Sequence, residues 1–297
     1  MAKDKTKPRP ELDARREAAR KAIRKQGRSR HLRVARNILI AIVIIGLAAT
    51  GVYVTVQHVK AGNLILAFEG DPNVTQITPP NATDDGLGIV MNPTAALVDG
   101  AVNVDMYVDY QDTVSVEALT YYGDALTTLA DSGQIKLTLH LRMGYDATIG
   151  NHASGRANVA LACADTIGHF WDYSNAIVAS GIPSITAGSG AVSLTDDQLQ
   201  VQFPATAGIT GDDLTAFQTC YSSRATSAFV AAMDSGIQTT PITSSAYWTK
   251  GVTTVPVMLA DNQTVDISSD LSNATASTAD TNTVLQMVQY YSMMAGG

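Results

Sequence analysis

The chain has 297 residues and a hydrophobic content of 45%, which is enough for one folded domain of about 200 residues and excludes disorder throughout. Its formal net charge of −7 is the sum of a basic N-terminal segment and an acidic remainder. Residues 1–36 hold 14 of the 20 Lys and Arg against four acidic residues, a net of +10, so the rest of the chain carries −17. Because affinity for a phosphate backbone comes mainly from Lys and Arg, this acidic remainder excludes nucleic acid as a partner.

A continuous apolar segment follows the basic residues. "NILIAIVIIGLAATGVYVTV", residues 37–56, contains 20 residues without a charge, and as a helix it is long enough to cross roughly 30 Å of membrane hydrocarbon. A signal peptide cleaved after "GLAAT" is the alternative, although its apolar region would normally be about 7 to 15 residues long. Since Lys and Arg precede the segment, we expect a cytoplasmic N-terminus and a single-pass protein of the cell membrane.

These features predict four regions. Residues 1–36 are expected to form a basic cytoplasmic tail and residues 37–56 a transmembrane helix. Residues 57–88 contain three prolines and show no sustained helical or strand period, which predicts an extracytoplasmic stalk. Residues 89–297 are then the main domain, on the outer side of the membrane.

The first part of this domain has the pattern of a strand, a helix and a second strand. "LGIVMNP" predicts a short leading strand, and "AVNVDMYVDY" predicts a first core strand that ends at Tyr110. Residues 113–131 have apolar positions spaced by three and four, as in an amphipathic helix, and residues 134–143 alternate as in a strand with one buried face. Such a unit has parallel strands and a right-handed crossover.

The region of about residues 150–240 has helical patterns instead. We predict two helices that break near Gly168, and one or two more with Thr210 or Asp212 as the N-cap. The Gly-rich "TAGSGAVS", residues 186–193, lacks the Lys of a phosphate loop and is expected to be a surface loop. "VPVMLADNQTVDI" then predicts two strands joined at "ADNQ", and "DTNTVLQMVQYYSMM" predicts a closing helix.

Three segments in this order resemble the DsbA-like thioredoxin-fold family. "YVDYQ" is similar to the family's "YfDYqCPyC", "SGRANVALACADTIGHFWDYSNAIV" to its "S-x-x-A…A…C-A…G-x-F-W" stretch, and "GVTTVPV" to its "GVxGTPT". The resemblance covers residues 86–295. It implies an α/β fold, the thioredoxin fold with an inserted helical domain, here of the membrane-anchored bacterial type.

The chain departs from this family at the redox motif. Where the family has Cys-x-x-Cys at the start of the first helix, this sequence has Asp112 and Ser115, and neither residue can form a disulfide. Asp112 can instead cap the helix, at about 1 kcal/mol. The resemblance assigns Val255 and Pro256 to a cis-proline loop that binds extended peptides; a loop proline that only shapes a turn is the alternative.

The only cysteines are Cys163 and Cys220, 57 positions apart. An extracytoplasmic location, together with the second bridge that some family members have between similar helices, implies a structural disulfide. A displaced redox pair and two free buried thiols are the alternatives. The five histidines show no spacing typical of zinc ligands, so no metal and no cofactor are expected.

These observations predict a non-catalytic module that binds or scaffolds an unknown extracytoplasmic protein or peptide. An enzyme is the alternative. It would be a DsbA-type thiol–disulfide oxidoreductase of extracytoplasmic protein folding, acting through Cys163 and Cys220, or a hydrolase acting through Asp112 and Ser115. The hydrolase requires a base within hydrogen-bond reach of Ser115. A third option is a domain that holds a partner in the membrane without using the Pro256 loop.

Overall fold

The computed structural model describes most of the chain after residue 72, namely residues 73–243, 245, 247–271 and 278–295. The predicted tail at residues 1–36 and the predicted transmembrane helix at residues 37–56 lie outside the described residues. Within the described part of the chain, no helix is both long enough and apolar enough to span a membrane.

A mixed sheet of five strands lies at the centre of the described residues. In chain order the strands are β1 (Ile89–Val90), β2 (Val102–Val108), β3 (Ile135–Leu141), β4 (Val257–Ala260) and β5 (Gln263–Val265). Their order across the sheet is β1-β3-β2-β4-β5. Strands β2 and β3 are parallel, and the other three pairs are antiparallel. Because β2 and β3 are mostly buried on both faces, the sheet is the inner layer of the fold.

The helix between the two parallel strands, α1 (Thr113–Asp131), has the bounds that the sequence predicts. Its apolar positions are all buried: Val116, Leu119, Tyr122, Leu126 and Leu129. The predicted strand–helix–strand unit is therefore confirmed. Strand β3 is shorter than the predicted residues 134–143. Just beyond it, the Arg142 side chain and the Met143 amide donate hydrogen bonds to Asp234 of the helical insert.

The insert between β3 and β4 consists of helices. They are α2 (Gly144–Ile149), α3 (Ala153–Asp165), α4 (Phe170–Thr186), a π-helical turn (Gln198–Gln202) that continues into α5 (Phe203–Thr206), α6 (Gly211–Ser223) and α7 (Ser227–Thr239). Gly168 separates α3 from α4 with a left-handed φ of 74°, as the sequence predicts. Thr210 immediately precedes α6, but its side chain makes no capping hydrogen bond.

The chain closes with a hairpin and two helices. Strands β4 and β5 are joined by Asp261 and Asn262, which both have positive φ, as a two-residue hairpin turn requires. The helices α8 (Ser268–Leu271) and α9 (Thr281–Ala295) follow. One continuous cluster of buried apolar side chains links the sheet, α1, α9 and the insert. The element order and the strand order define a thioredoxin fold with an inserted helical domain.

Part of the predicted stalk packs against the domain in the described residues. Asn81 donates hydrogen bonds from its backbone and side chain to Asp165, at 3.0 and 2.8 Å, and the Ile77 amide donates to the Ala225 carbonyl at 2.7 Å. The side chain of Leu87 packs against the core. The sequence did not indicate these contacts, because an irregular segment can dock through single hydrogen bonds that leave no periodic pattern.

Candidate functional site

The candidate site lies at one end of the central strands, where β2 and β3 end and β4 begins. Strand β2 ends at Val108, which is paired with Leu141 at the end of β3. Because β4 runs antiparallel to β2, its first residue, Val257, lies opposite Tyr107. Three connections are therefore neighbours at this end of the strands: the turn from β2 to α1, the start of α2 and the Val255–Pro256 loop.

Asp112 and Ser115 form a closed cap on α1. The Asp112 carboxylate accepts the backbone N–H groups of Val114, at 3.3 Å, and of Ser115, at 2.8 Å. The Ser115 hydroxyl donates to the same carboxylate over 2.7 Å and accepts the Asp109 amide at 3.2 Å. Both side chains are buried, with residue exposures of 3% and 0%. The structure thus brings the two predicted positions together and satisfies both with local hydrogen bonds.

A buried carboxyl group beside the cap, Asp109, was not singled out from the sequence. It accepts hydrogen bonds from the Gln111 amide at 2.9 Å, the Tyr145 amide at 2.9 Å and the Ser154 hydroxyl at 2.6 Å. Burial raises the pKa of Asp109 to about 6, although these three hydrogen bonds act in the opposite direction. Its place directly after a core strand was the one signal in the sequence that pointed to it.

Tyr145 is the partly exposed member of this group. Its amide donates to Asp109, and the negative charge of Asp112 lies near its phenol. Burial raises the pKa of Tyr145, and the negative charge of Asp112 raises it further. The phenol therefore stays protonated at neutral pH and can donate a hydrogen bond at the surface of the site.

A segment of the insert covers the turn before α1. Ala191 pairs with Asp112 in an antiparallel bridge, and the Val192 amide donates to the Gln111 carbonyl at 2.8 Å. Val192 is buried. The prediction of a surface loop at residues 186–193 is therefore wrong for its last part, because a buried valine anchors that part against the site turn.

The loop before β4 contains a cis peptide bond between Val255 and Pro256. Both residues are half-buried, and Val255 packs against the core. Arg142 fastens the beginning of this loop: its guanidinium donates to the Val252 carbonyl and, over 2.7 Å, to the Asp234 carboxylate. Through Arg142 the loop is thus tied to β3 and to helix α7 of the insert.

The two cysteines lie apart from this cap, in the insert. Cys163 of α3 and Cys220 of α6 form a disulfide with an S–S distance of 2.01 Å, which confirms the predicted pairing. Their residue exposures are 0% and 7%. Since the sequence has two cysteines and both are bridged, the alternative of two free thiols is wrong.

Metal-binding side chains do not converge in the described part of the chain: no group of three or more His, Cys, Asp or Glu there could hold a metal ion. The buried Asp109 and Asp112 carboxylates are instead occupied by N–H and O–H donors of the protein. What the site offers chemically is a capped helix start, a phenol that can donate a hydrogen bond and a cis-proline loop.

No protein-family model and no curated protein matches the chain. Solved structures do match it. The thiol–disulfide oxidoreductase MdbA of Corynebacterium diphtheriae is 16% identical, with a TM-score of 0.46 over 69% of this chain and 97% of that one. MdbA of Actinomyces oris is 14% identical, with a TM-score of 0.49 over 68% and 91%. DsbA of Mycobacterium tuberculosis is 12% identical, with a TM-score of 0.43 over 70% and 99%.

These likenesses concern the fold alone. The fold class itself follows from the strand order, the parallel β2–β3 pair and the helices inserted before the β4–β5 hairpin. The chain has a DsbA-like thioredoxin fold. At the start of α1 this chain has the carboxylate of Asp112 and the hydroxyl of Ser115.

Proposed function

We propose that this protein is a membrane-anchored, extracytoplasmic module that binds or scaffolds another protein or peptide and does not catalyse thiol–disulfide exchange. The observation that carries the proposal is the closed cap formed by Asp112 and Ser115. Residues 37–56 supply the anchor, and the Lys and Arg of residues 1–36 keep the N-terminus in the cytoplasm.

The cap excludes redox chemistry at this position for two reasons. Exchange requires a thiolate, and a carboxylate and a hydroxyl cannot form a disulfide. In addition, the N–H groups at the start of α1, which would stabilise a thiolate, already donate to the Asp112 carboxylate. The helix start is therefore used for stability.

The hydrolase alternative meets one of its requirements and fails another. A base does lie within reach of Ser115, since the Asp112 carboxylate is 2.7 Å from the hydroxyl. Ser115 is fully buried, however, and its oxygen also accepts the Asp109 amide. A substrate carbonyl has no access to this oxygen unless the start of α1 unfolds, so we do not favour hydrolysis.

The surface around the cap supports binding. Val114, at the start of α1, is 43% exposed, as is Ile149 at the end of α2. Tyr145, which lies one helical turn before Ile149, offers its phenol beside Asp112. Apolar side chains with one hydrogen-bond donor, next to a cis-proline loop, suit an extended and mostly apolar peptide segment.

A thiol–disulfide oxidoreductase remains the second candidate, because the chain does contain a disulfide between Cys163 and Cys220. A disulfide that takes part in exchange must be reached by the thiolate of a substrate. Cys163 is completely buried and Cys220 nearly so. We therefore assign the bond a structural role, and the same experiment tests both candidates.

The test compares the full-length protein in detergent with three variants. We expect insulin reduction and peptide oxidation at the rate of the Cys163→Ser/Cys220→Ser variant, and activity clearly above that variant would overturn the proposal. Partner capture from crosslinked membranes should be lost in Pro256→Ala and kept in Thr253→Ala, an exposed control in the same loop. Capture that is unaffected by Pro256→Ala would instead support a scaffold that holds its partner elsewhere.

A further inference from the structure

His140 lies on β3 and connects two parts of the chain. Its ring stacks on Tyr107 with a centroid distance of 4.1 Å, and the residue is 7% exposed. Nδ1 lies 2.7 Å from the Leu87 carbonyl oxygen, and Nε2 lies 2.8 Å from Oδ1 of Asp105 on β2. One imidazole therefore joins the sheet to the segment that precedes β1.

The chemistry of these two partners determines the protonation of the ring. A carbonyl oxygen and a carboxylate oxygen only accept hydrogen bonds, so each ring nitrogen must carry a proton to satisfy its partner. A neutral imidazole carries one such proton. The observed geometry of His140 is thus that of the imidazolium, with one charge-assisted hydrogen bond to Asp105 and one to Leu87.

The segment held by Leu87 is a small closed loop, residues 83–88. The hydroxyl of Thr83 accepts the amides of Leu87 and Gly88, at 3.1 and 3.0 Å, and the Thr83 amide donates to the Gly88 carbonyl at 2.9 Å. The loop presses directly on β3, because a Cβ on Gly88 would lie 2.5 Å from Thr138. These hydrogen bonds close the loop on itself, and the His140 ring bonds it to the sheet.

We propose that His140 is a pH-sensitive clamp that fastens the 83–88 loop to the sheet when protonated and releases it when neutral. After loss of one proton, the remaining proton stays on Nε2, because the Asp105 carboxylate is the stronger acceptor. The lone pair of Nδ1 then faces the lone pairs of the Leu87 carbonyl. This contact is repulsive, so the loop moves away from β3.

Two carboxylates and a phenol lie around His140. Asp105 faces it from β2 and Asp85 from the loop. Burial raises the pKa of Asp85, but hydrogen bonds from Thr83 and Leu87 and the charge of His140 outweigh it, so this pKa is lowered overall. Tyr107 stays neutral, because burial and the two carboxylates raise its pKa. Helix α7 contributes the uncharged Gly236, against the Leu87 side chain.

The clamp would make the attachment of residues 83–88 to the sheet depend on pH. Residues 83–88 lie in the segment that leads from the predicted membrane span to β1, so release would loosen the last part of that connection. The contacts of Ile77 and Asn81 with the insert do not involve His140 and would persist. This inference does not depend on whether the candidate site binds a peptide.

Hydrogen exchange of the full-length protein in detergent tests the clamp. After correction for the intrinsic pH dependence of exchange, we expect the protection of the loop amides to fall about tenfold or more between pH 5.5 and pH 8, the equivalent of one lost charge-assisted hydrogen bond. His140→Gln should abolish this pH dependence. His169→Gln, a change at a half-exposed histidine of the insert, should leave it intact.

A spectroscopic measurement on the unaltered protein keeps the test decisive if His140→Gln folds poorly. The ring carbon shifts of His140 should show an imidazolium at pH 5.5 and a neutral ring at pH 8, with the same midpoint as the change in loop protection. A neutral ring at pH 5.5, a loop whose protection does not change with pH, or a pH dependence that survives in His140→Gln would each overturn the proposal.

Discussion

The Ser115 hydroxyl donates a hydrogen bond to the Asp112 carboxylate across the first turn of α1, over 2.7 Å. The same carboxylate accepts two backbone N–H groups of that turn. This pair is therefore a helix cap, in which the acid and the hydroxyl satisfy each other inside a buried turn. Its effects should be measurable on stability rather than on catalysis.

Replacing the capping acid should destabilise the domain. Asp112→Ala removes the acceptor of two backbone N–H groups and of the Ser115 hydroxyl, and we expect it to lower the free energy of unfolding by roughly 1–2 kcal/mol. Asp112→Asn keeps one carbonyl oxygen as a cap and should cost less. Urea denaturation of the two variants measures the difference. Equal stability of Asp112→Ala and the unaltered protein would contradict the cap.

The contact between α4 and the segment over the site should be sensitive to the size of Gly181. A Cβ at this position would lie 2.8 Å from Val116 Cγ1 and 3.2 Å from Val192 Cγ2. Gly181→Val should displace the segment around Val192 and lower stability by roughly 1–3 kcal/mol. Hydrogen exchange at the Val192 amide should accelerate with it. Gly190→Ala is the control, because open space surrounds that glycine; unchanged exchange in Gly181→Val would refute the packing argument.

Removing the disulfide should weaken the insert without affecting chemistry. The bond closes a loop between residues 57 positions apart, which corresponds to about 4 kcal/mol in chain-entropy terms. We expect Cys163→Ala/Cys220→Ala to unfold at clearly lower urea concentration. Mild reductant should leave the bond of the unaltered protein intact, because both sulfur atoms are shielded. Rapid reduction under native conditions would instead indicate an accessible redox pair.

Asp109 should make the free energy of unfolding depend on pH. Its folded pKa of about 6 lies above the ordinary value of 3.8, so the stability it contributes is fully present below pH 4 and is lost as pH rises through 6. At about 1.4 kcal/mol for each pKa unit, the loss is roughly 3 kcal/mol.

Comparison with Asp109→Asn isolates this effect, because the variant cannot titrate at this position. The stability of the unaltered protein minus that of the variant should fall by roughly 3 kcal/mol between pH 4 and pH 7. Any constant cost of the amide side chain cancels in this difference. A difference that is the same at both pH values would show that Asp109 titrates as it does in the unfolded chain.

The start of the folded domain can be tested by truncation. A chain that begins at residue 73 keeps the hydrogen bonds from Asn81 to Asp165, whereas a chain that begins at residue 89 leaves this carboxylate without those donors. We expect the shorter chain to unfold at lower temperature and to aggregate.

Two single substitutions in the longer chain serve as a matched pair for the truncation. Asn81→Ala should cost about 1–3 kcal/mol, since it removes a donor from a buried charge. Thr75→Ala changes an exposed side chain and should cost less. Equal melting temperatures of the two truncated chains would show that residues 73–88 do not contribute to the stability of the domain.

Local patterns were sufficient for most of the fold. The bounds of α1 follow from its apolar spacing, the break at Gly168 from a glycine that can adopt positive φ, and the β4–β5 hairpin from two short β-rich runs around a polar turn. Contacts between residues far apart in the chain could not be predicted from the sequence. The pairing of Ala191 with Asp112 and of Asn81 with Asp165 joins positions 79 and 84 residues apart, and neither contact leaves a period in the sequence.

The sequence by itself determined which reactions the helix start cannot perform, because disulfide exchange depends on the identity of two side chains and those are Asp112 and Ser115. The tertiary structure alone decided access and protonation. Ser115 is sealed, Asp109 has a raised pKa, and His140 faces two acceptors. These properties depend on burial and on partners brought in from remote parts of the chain.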